Sequence, residues 1–325
     1  MISYLACPHC RGQLARANGS LSCGACGRAY PLSDEIPQFG LAESLGERAA
    51  ERRDYWDRGW QARHQGDHAY LHELASPEQW RAFIRQQMAA APGQFYAEAG
   101  ADVVRDRVML EIGCGAGISS ATFGYLGAHY IGIDHSANAA RHSLAHLRGI
   151  GADGFTAQGN AEALPLRDAC VDVVYSNGVL HHTPRFREAM DEVYRVLKPR
   201  GRAVIALYAT YSVHLGTVRL HGILRGKLGR QAMQRWMGRA TEGAWRTGER
   251  VNLWTETFSV AKLRRFMRRY AVSELRFRKY GSPIGALPRV GRPLLRLGAL
   301  RRVDDALEPL LGGMVIMSFA KPDAA

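Results

Sequence analysis

Along this chain the spacing of apolar residues changes three times. Over residues 1–39 apolar positions are sparse and cysteines and turn-formers dominate, in "ACPHCRGQLARANGSLSCGACGRAYPLSDEIPQFG". There "NGS" predicts a hairpin turn between two short strands. Residues 40–104 read as helical, rich in Ala, Glu, Arg and Gln, with aromatics in "RRDYWDRGW" and "EQWRAFIRQQM". Ser76, Pro77 and Glu78 make a helix start. From about residue 105 short apolar runs alternate with amphipathic stretches. Strands are predicted at "RVMLEI", "HYIGIDHS", "DGFTAQGNAE", "CVDVVYSNGV" and "RAVIALYA". Helices are predicted at "AGISSATFGYL", at "SANAARHSLAHLRG" with Ser136 as cap, and at "RFREAMDEVYRVLKPRG", closed by Pro199 and Gly201. Such alternation implies an α/β fold of parallel βαβ units with helices on both faces.

From Thr210 to about Asn252 this pattern stops, in a basic, aromatic-dotted stretch that is helical in places. "FSVAKLRRFMRRY" is another helix, with Phe258, Leu263, Phe266 and Met267 near one face. "AVSELRFRKYG" and "GGMVIMSFAKP" read as two strands able to pair antiparallel at the sheet edge. The expected organisation is a small module at 1–39, a helical lid or linker at 40–104, and an α/β domain at 105–325 with a substrate-capping insertion at about 210–256.

Composition narrows the partners. The 325 residues are 46% apolar and 22% charged, which are globular values. The formal charge of +13 favours nucleic acid, anionic lipid surfaces or acidic small molecules, although an Arg- and Ala-rich composition from a GC-rich genome gives the same balance. The start of the chain has no basic and apolar leader, and no segment approaches the ~18 uninterrupted apolar residues of a membrane span. With its cysteines paired as CxxC, the chain reads as a reduced, cytoplasmic enzyme.

The chemistry begins at "VMLEIGCGAG". Gly113 and Gly115 let the backbone turn tightly and approach a ligand, and the following helix offers its N-terminal amides. A dinucleotide loop spaces its glycines G-x-G-x-x-G. Here the third position is Ile118, while Gly117 stands one residue earlier. Glu111 at the strand end repels a pyrophosphate and suits a cationic amino-acid group. Asp134, about twenty residues on, is placed to take ribose hydroxyls. Asn160 in "GNAE" is placed to read an adenine edge, and Asn177 ends the fourth strand. Each residue alone has a bland explanation. Together they sit at the carboxyl ends of successive strands, where open α/β sheets bind ligands.

On these residues the sequence resembles class I S-adenosylmethionine-dependent methyltransferases of the type 11 family, over roughly residues 105–209. "LEIGCGAG", "IGIDHS", "GNAEALPLRDACVDVVYSNGVLHHTP" and "EVYRVLKPRG" carry the likeness. The resemblance implies a Rossmann-like seven-stranded sheet whose last strand runs antiparallel. It implies S-adenosylmethionine as cofactor, lined by Glu111, Gly113, Cys114, Gly115 and Gly117 on the methionine side. Asp134, followed by His135, would bind ribose. Asn160, Ala161 and Glu162 would border adenine, and Asn177 would sit near the sulfonium. The family more often has Asp where Asn160 stands; an amide still hydrogen-bonds the adenine amino group. The sulfonium methyl is already activated, so transfer is an in-line displacement that needs alignment and a base only where the acceptor carries a proton. His181 and His182, in "VLHHTP", are candidates for that base, as are Tyr208, Tyr211 and His214.

Cys7-x-x-Cys10 and Cys23-x-x-Cys26, twelve residues apart, have the spacing of a tetrahedral thiolate zinc site. Four thiolates leave no open position, so the ion would be structural. The tail "YPLSDEIPQF" resembles the zinc ribbon of tRNA-methyltransferase activators, with Glu35 where that family has glycine. A ribbon ahead of a methyltransferase also resembles ribosomal RNA guanine methyltransferases, whose last ligand is usually His; this chain has Cys26 there.

Three functions stay open. A small-molecule or lipid-like acceptor fits a pocket lined by Tyr55, Trp56, Trp60, Trp254 and Phe258, although any of these can be core. A basic amphipathic helix touching anionic lipid suits a lipid-like substrate too. RNA as substrate fits the ribbon and the Arg-rich "LRRFMRRY" and "RLHGILRGKLGR", but strand four lacks the Asn/Asp-Pro-Pro-Tyr-type tetrapeptide expected for a base amine. A non-catalytic scaffold is the third reading, against which the intact cofactor motifs stand. Cys114 is expected as a small filler and Cys170 as core.

Overall fold

The computed structural model describes residues 1–40, 47–66, 68–74, 76–90, 101–242, 254–287 and 290–323. The chain divides into two compact units. The first comprises Met1–Ser176, Arg185–Val204 and Lys321–Ala325; the second comprises Asn177–Pro184 and Ile205–Ala320.

The first unit opens with a four-stranded antiparallel sheet of β1 (Leu14–Ala17), β2 (Ser20–Cys23), β3 (Ala29–Ser33) and β4 (Ile36–Pro37), ordered as in the chain. The expected "NGS" turn forms. Asn18 and Gly19 take φ of 47° and 72°, the paired left-handed conformation whose twist matches a two-residue hairpin. At the β3–β4 turn Asp34 and Glu35 also adopt positive φ, 52° and 67°, at a cost of roughly 1 kcal/mol each for a residue with a Cβ. Their side chains meet Arg141 and Arg148, two exposed ion pairs that offset little of this.

The small sheet is fastened to the rest of its unit. Leu5 bridges Leu166, the Ala6 amide donates to the Pro165 carbonyl, and the Phe39 amide donates to that of Gln158. The Arg11 guanidinium donates to Glu192 at 2.6 Å and to the Leu164 carbonyl at 3.0 Å. Ile36 packs with Ala140 and Leu144.

Helix α1 (Glu47–Gln65) and α2 (Pro77–Ala90) follow, then the short α3 (Ala101–Val104). α2 starts as expected. The Ser76 hydroxyl accepts from the Gln79 amide and the Gln79 side chain accepts from the Ser76 amide, a reciprocal capping box. The alternation then gives β5 (Val108–Ile112), α4 (Ile118–Tyr125), β6 (His129–Asp134), α5 (Ala137–Gly149), β7 (Gly154–Gln158), β8 (Val171–Asn177), α6 (Phe186–Val196) and β9 (Leu197–Tyr208). α5 is capped by Ser136 as expected, its hydroxyl accepting from the Ala139 amide.

α6 ends earlier than the sequence suggests. Leu197 already begins β9, and "KPRG" lies within that strand. Arg200, at a left-handed φ of 63°, and Gly201 pair through their backbones with Lys321, which draws this stretch into the sheet and ends the helix at Val196, three residues before Pro199.

The second unit carries α7 (Val213–Leu224), α8 (Arg230–Glu242), α9 (Val260–Met267), β10 (Ser273–Tyr280), α10 (Gly291–Leu294), α11 (Gly298–Leu311) and β11 (Met314–Ala320). On α9, Leu263 and Met267 are buried and Phe266 is half-buried. α10 and α11 were not anticipated by the apolar pattern. α11 packs on β10 and carries Pro309 in its last turn.

The large sheet has seven strands in the order β10-β11-β9-β8-β5-β6-β7. β5, β6, β7 and β8 pair in parallel, and β10 and β11 pair antiparallel at the edge, as expected from their sequences. β5 is buried along its whole length, as a central parallel strand covered on both faces must be.

Candidate functional site

The glycine loop joins β5 to α4. Gly115 and Gly117 take φ of 48° and 76°, so a Cβ would strain both. At Gly117 it would also lie 2.7 Å from His146 Nδ1 and 2.8 Å from the Ser143 Cα, so glycine lets the loop seat against α5. At Gly115 it would lie 2.6 Å from the Trp60 ring. Trp60 of α1 therefore stands directly over the loop.

Asp134, at the end of β6, organises this loop from the neighbouring strand. One carboxylate oxygen accepts from the Gly115 amide at 3.0 Å and the other from the Ser136 amide at 2.8 Å. Burial raises its pKa to about 6 in spite of these bonds. Glu111 is buried beside it, accepting from the Tyr130 hydroxyl at 2.5 Å. Desolvation raises its pKa to about 8. A cation delivered to this carboxylate would favour its charged form.

An acid whose pKa rises on folding stabilises the folded state below its unfolded value and loses that contribution as pH climbs through the folded value. Asp134 loses its share by about pH 6, while His68 and His181, whose pKa values burial lowers, add stability as pH rises toward the ordinary imidazole value; above about pH 7 the slope is left to Glu111, which titrates near 8. The ligand-free protein is thus expected to melt progressively lower as pH rises from about 7 to 8. In Glu111→Gln this fall should largely vanish. Parallel slopes for the two proteins in thermal melts would refute the assignment.

The four cysteines converge. Their sulfur atoms all lie within 4.8 Å of one another, with Cys7 and Cys26 at 3.7 Å and Cys10 and Cys23 at 3.5 Å. A tetrahedral thiolate site with metal–sulfur bonds of ~2.3 Å requires sulfur separations of about 3.8 Å. Backbone amides of Cys26 and Ala25 address the Cys23 sulfur, and the first of these does most to bring its pKa down to about 7. The Tyr30 hydroxyl stands 3.0 Å from the Cys7 sulfur. Gly12 leaves room for the cluster, since a Cβ there would fall 2.9 Å from the Cys23 sulfur. The donor set and spacing fit zinc.

Residues 110–205 match the family model described as "Methyltransferase domain", and residues 2–35 match that of the "Trm112p-like protein". The chain carries a methyltransferase domain behind a Trm112p-like module. An uncharacterized methyltransferase of Mycobacteroides abscessus is 29% identical over 149 residues, covering 46% of this chain and 56% of the relative. The chain thus spans about half the length of the curated relatives it matches. A 24-methylenesterol C-methyltransferase 2 of Oryza sativa is 32% identical over 126 residues, 36% of this chain and 35% of that one. Among solved structures, an S-adenosylmethionine-dependent methyltransferase from Mesorhizobium loti is similar at TM-score 0.46 and 15% identity, covering 71% of this chain and 99% of that one. The complex of the Haloferax volcanii Trm112 methyltransferase activator with a methyltransferase is similar at TM-score 0.47 and 14% identity, covering 75% and 97%.

The methyltransferase domain places the remaining candidate residues as follows. Cys114 is buried in the loop, where its carbonyl accepts from the Gly117 amide; Cys170 is half-buried. His135 is half-buried, and its carbonyl accepts from Gln158. Asn160 uses its side-chain oxygen to accept from the Glu162 amide, which shapes the "GNAE" turn. Ala161 is half-buried in that turn. The Glu162 carboxylate is buried and already taken by Arg185, at 2.9 Å. Asn177 is exposed at the end of β8.

In the second unit His181 is fully buried, its ring 3.9 Å from that of Tyr208, and burial drives its pKa well below the usual value. His182 Nδ1 lies 3.2 Å from the Trp254 carbonyl and 3.3 Å from the Thr255 hydroxyl. Tyr55 and Phe258 are core, 9% and 2% exposed.

Asp57 of α1 has no motif to announce it. It accepts from the Ser136 hydroxyl at 2.7 Å and from Asn138 at 2.8 Å, pinning α1 to the start of α5. Further along α1, His64 stacks on His142 of α5 with ring centroids 3.5 Å apart. These contacts hold Trp60 over Gly115.

Proposed function

We propose that this protein transfers the methyl group of S-adenosylmethionine to a small or lipid-like acceptor, in the cytoplasm, with a structural zinc ion held by Cys7, Cys10, Cys23 and Cys26. The observation that carries the reading is the pair of buried carboxylates, Glu111 and Asp134, at the ends of adjacent parallel strands around a loop of left-handed glycines. Glu111 would take the ammonium of the methionine part and Asp134 the ribose hydroxyls. Asn160, Ala161 and Glu162 would border the adenine, with His135 beside the ribose and Asn177 toward the sulfur. Trp60 would close over the loop and exclude water. When bound, the cofactor would supply an activated methyl group on a cationic sulfur, which these residues would hold in line with the acceptor.

A protic acceptor must lose a proton, and we assign its removal to His181. Burial lowers its pKa, so the ring is neutral in the ligand-free fold; it would take the proton only when charge on the bound acceptor offsets that desolvation. Docking of the acceptor is assigned to residues 210–256 and lid closure to residues 40–104; parts of both segments lie outside the described residues.

RNA as acceptor is the second reading, favoured by the Trm112p-like match and by the basic balance of the chain. The two separate in one experiment. The protein is incubated with methyl-labelled S-adenosylmethionine and an extract of its host, and RNA, protein, lipid and small-molecule fractions are counted. Label in the organic or small-molecule fraction, lost in His181→Ala with cofactor binding retained, supports the first reading. Label in RNA establishes the second.

A further inference from the structure

Helix α7 is apolar on two faces, and only one of them is used. Leu215 and Val218 pack against Met237 of α8, with Met233 and Trp236 beside them, and the Trp236 indole donates to the Val218 carbonyl at 2.8 Å. Gly222 completes that face, since a Cβ there would fall 2.7 Å from the Trp236 ring. On the other side Leu220, Ile223 and Leu224 form a row at helical spacing, 56%, 50% and 73% exposed, and Leu228, in the turn after the helix, is 76% exposed. Soluble proteins scatter single exposed leucines over their surfaces; a contiguous row marks a contact surface.

What the row meets is indicated by its charge. From the start of α7 to the end of α8 the sequence has Arg219, Arg225, Lys227, Arg230, Arg235 and Arg239 against one acid, Glu242. Lys227, Ala232, Arg235 and Trp236 line an open recess of about 230 Å³ on the same helical hairpin. The Arg225 guanidinium lies over the Trp236 ring, 5.0 Å from its centroid. An exposed apolar row on a hairpin whose turn and second helix carry the exposed cations Arg225, Lys227 and Arg235 is complementary to an anionic bilayer surface. The leucines enter the acyl boundary and the cations meet the lipid phosphates. RNA offers nothing to a row of leucines. At 12 residues α7 is far too short to span, and among the described residues no helix is long and apolar enough to cross a membrane. We propose that the α7–α8 hairpin docks this protein on anionic membranes, lying in the interface.

Docking does not require methyl transfer, so it stands or fails separately from the proposed activity. The full chain is mixed with phosphatidylcholine vesicles, with or without phosphatidylglycerol, and the bound fraction is read by flotation. Wild-type protein should float with the anionic vesicles, and not with the neutral ones. The double substitution Leu224→Ser and Leu228→Ser, at exposed positions that leave the packed face intact, should lower the bound fraction on the order of tenfold. Lys227→Gln should lower it about fivefold. An unchanged melting temperature checks that each variant is folded. Absence of wild-type binding overturns the proposal. So does binding that the leucine substitutions leave intact, which would be charge attraction alone. Binding of RNA or a protein through these leucines, without vesicle binding, also overturns it.

Discussion

Removing the metal from the four-cysteine cluster is expected to unfold the small sheet and lower the melting temperature by roughly 10 °C or more. Four sulfurs within 4.8 Å of one another have little to hold them together without a cation. The apolar side chains they organise are few: besides Cys23, the buried residues of β1–β4 and the two positions after β4 are Leu14, Leu21, Tyr30, Ile36, Pro37 and Phe39. A core of that size does not fold alone, and structural zinc sites contribute on the order of 10 kcal/mol to such modules. The loss should spread. Ile36 packs on α5, Arg11 reaches Glu192 on α6, and Phe39 is tied to the end of β7. Cys23→Ser should reproduce the effect of a chelator. Metal analysis should find one zinc per chain in the purified protein and none in the variant. A chelator that leaves the melt unchanged would show that the cluster is not a metal site.

The second large effect is expected at Asp134. Asp134→Ala leaves the Gly115 and Ser136 amides without their acceptor. Burying such groups unpaired costs about 2–3 kcal/mol of stability, and losing the charge-assisted bonds to the ribose hydroxyls, about 1.5–3 kcal/mol, should lower S-adenosylmethionine affinity roughly ten- to hundredfold. Wild-type affinity should also depend on pH. Asp134 titrates near 6 in the ligand-free fold, and its charged form accepts from hydroxyls, so affinity should decline as pH falls through about 6. Calorimetric titration of both proteins across that range tests this. An Asp134→Ala protein that binds like the wild type, or a flat wild-type profile, would remove Asp134 from the site.

Glu111 and Asp134 were legible as candidates because the covalent order of a βαβ unit fixes where strand ends lie. Residues that end successive parallel strands arrive at one edge whatever the side-chain packing. The cysteines were legible for a similar reason, since two CxxC knuckles define a donor set before any tertiary contact exists. Trp60 illustrates the limit. Its place in an aromatic, helical stretch said that it packs, and only the approach of α1 to α5 through Asp57 and the His64–His142 stack put it over Gly115. The boundary at Leu197 moved because Lys321, more than a hundred residues away, pairs with the chain there.

By itself, then, the sequence determined the order of strands and helices, the glycine loop with its two carboxylates, the "NGS" hairpin and the thiol cluster, all of which depend on local backbone preference or on ligand spacing. The tertiary structure decided which apolar rows are covered. Leu215 and Val218 have the same chemistry as Leu220 and Leu224 and the same helical period, yet the first pair is buried and the second exposed. Periodicity shows that a face is apolar; what lies against it depends on residues distant in the chain.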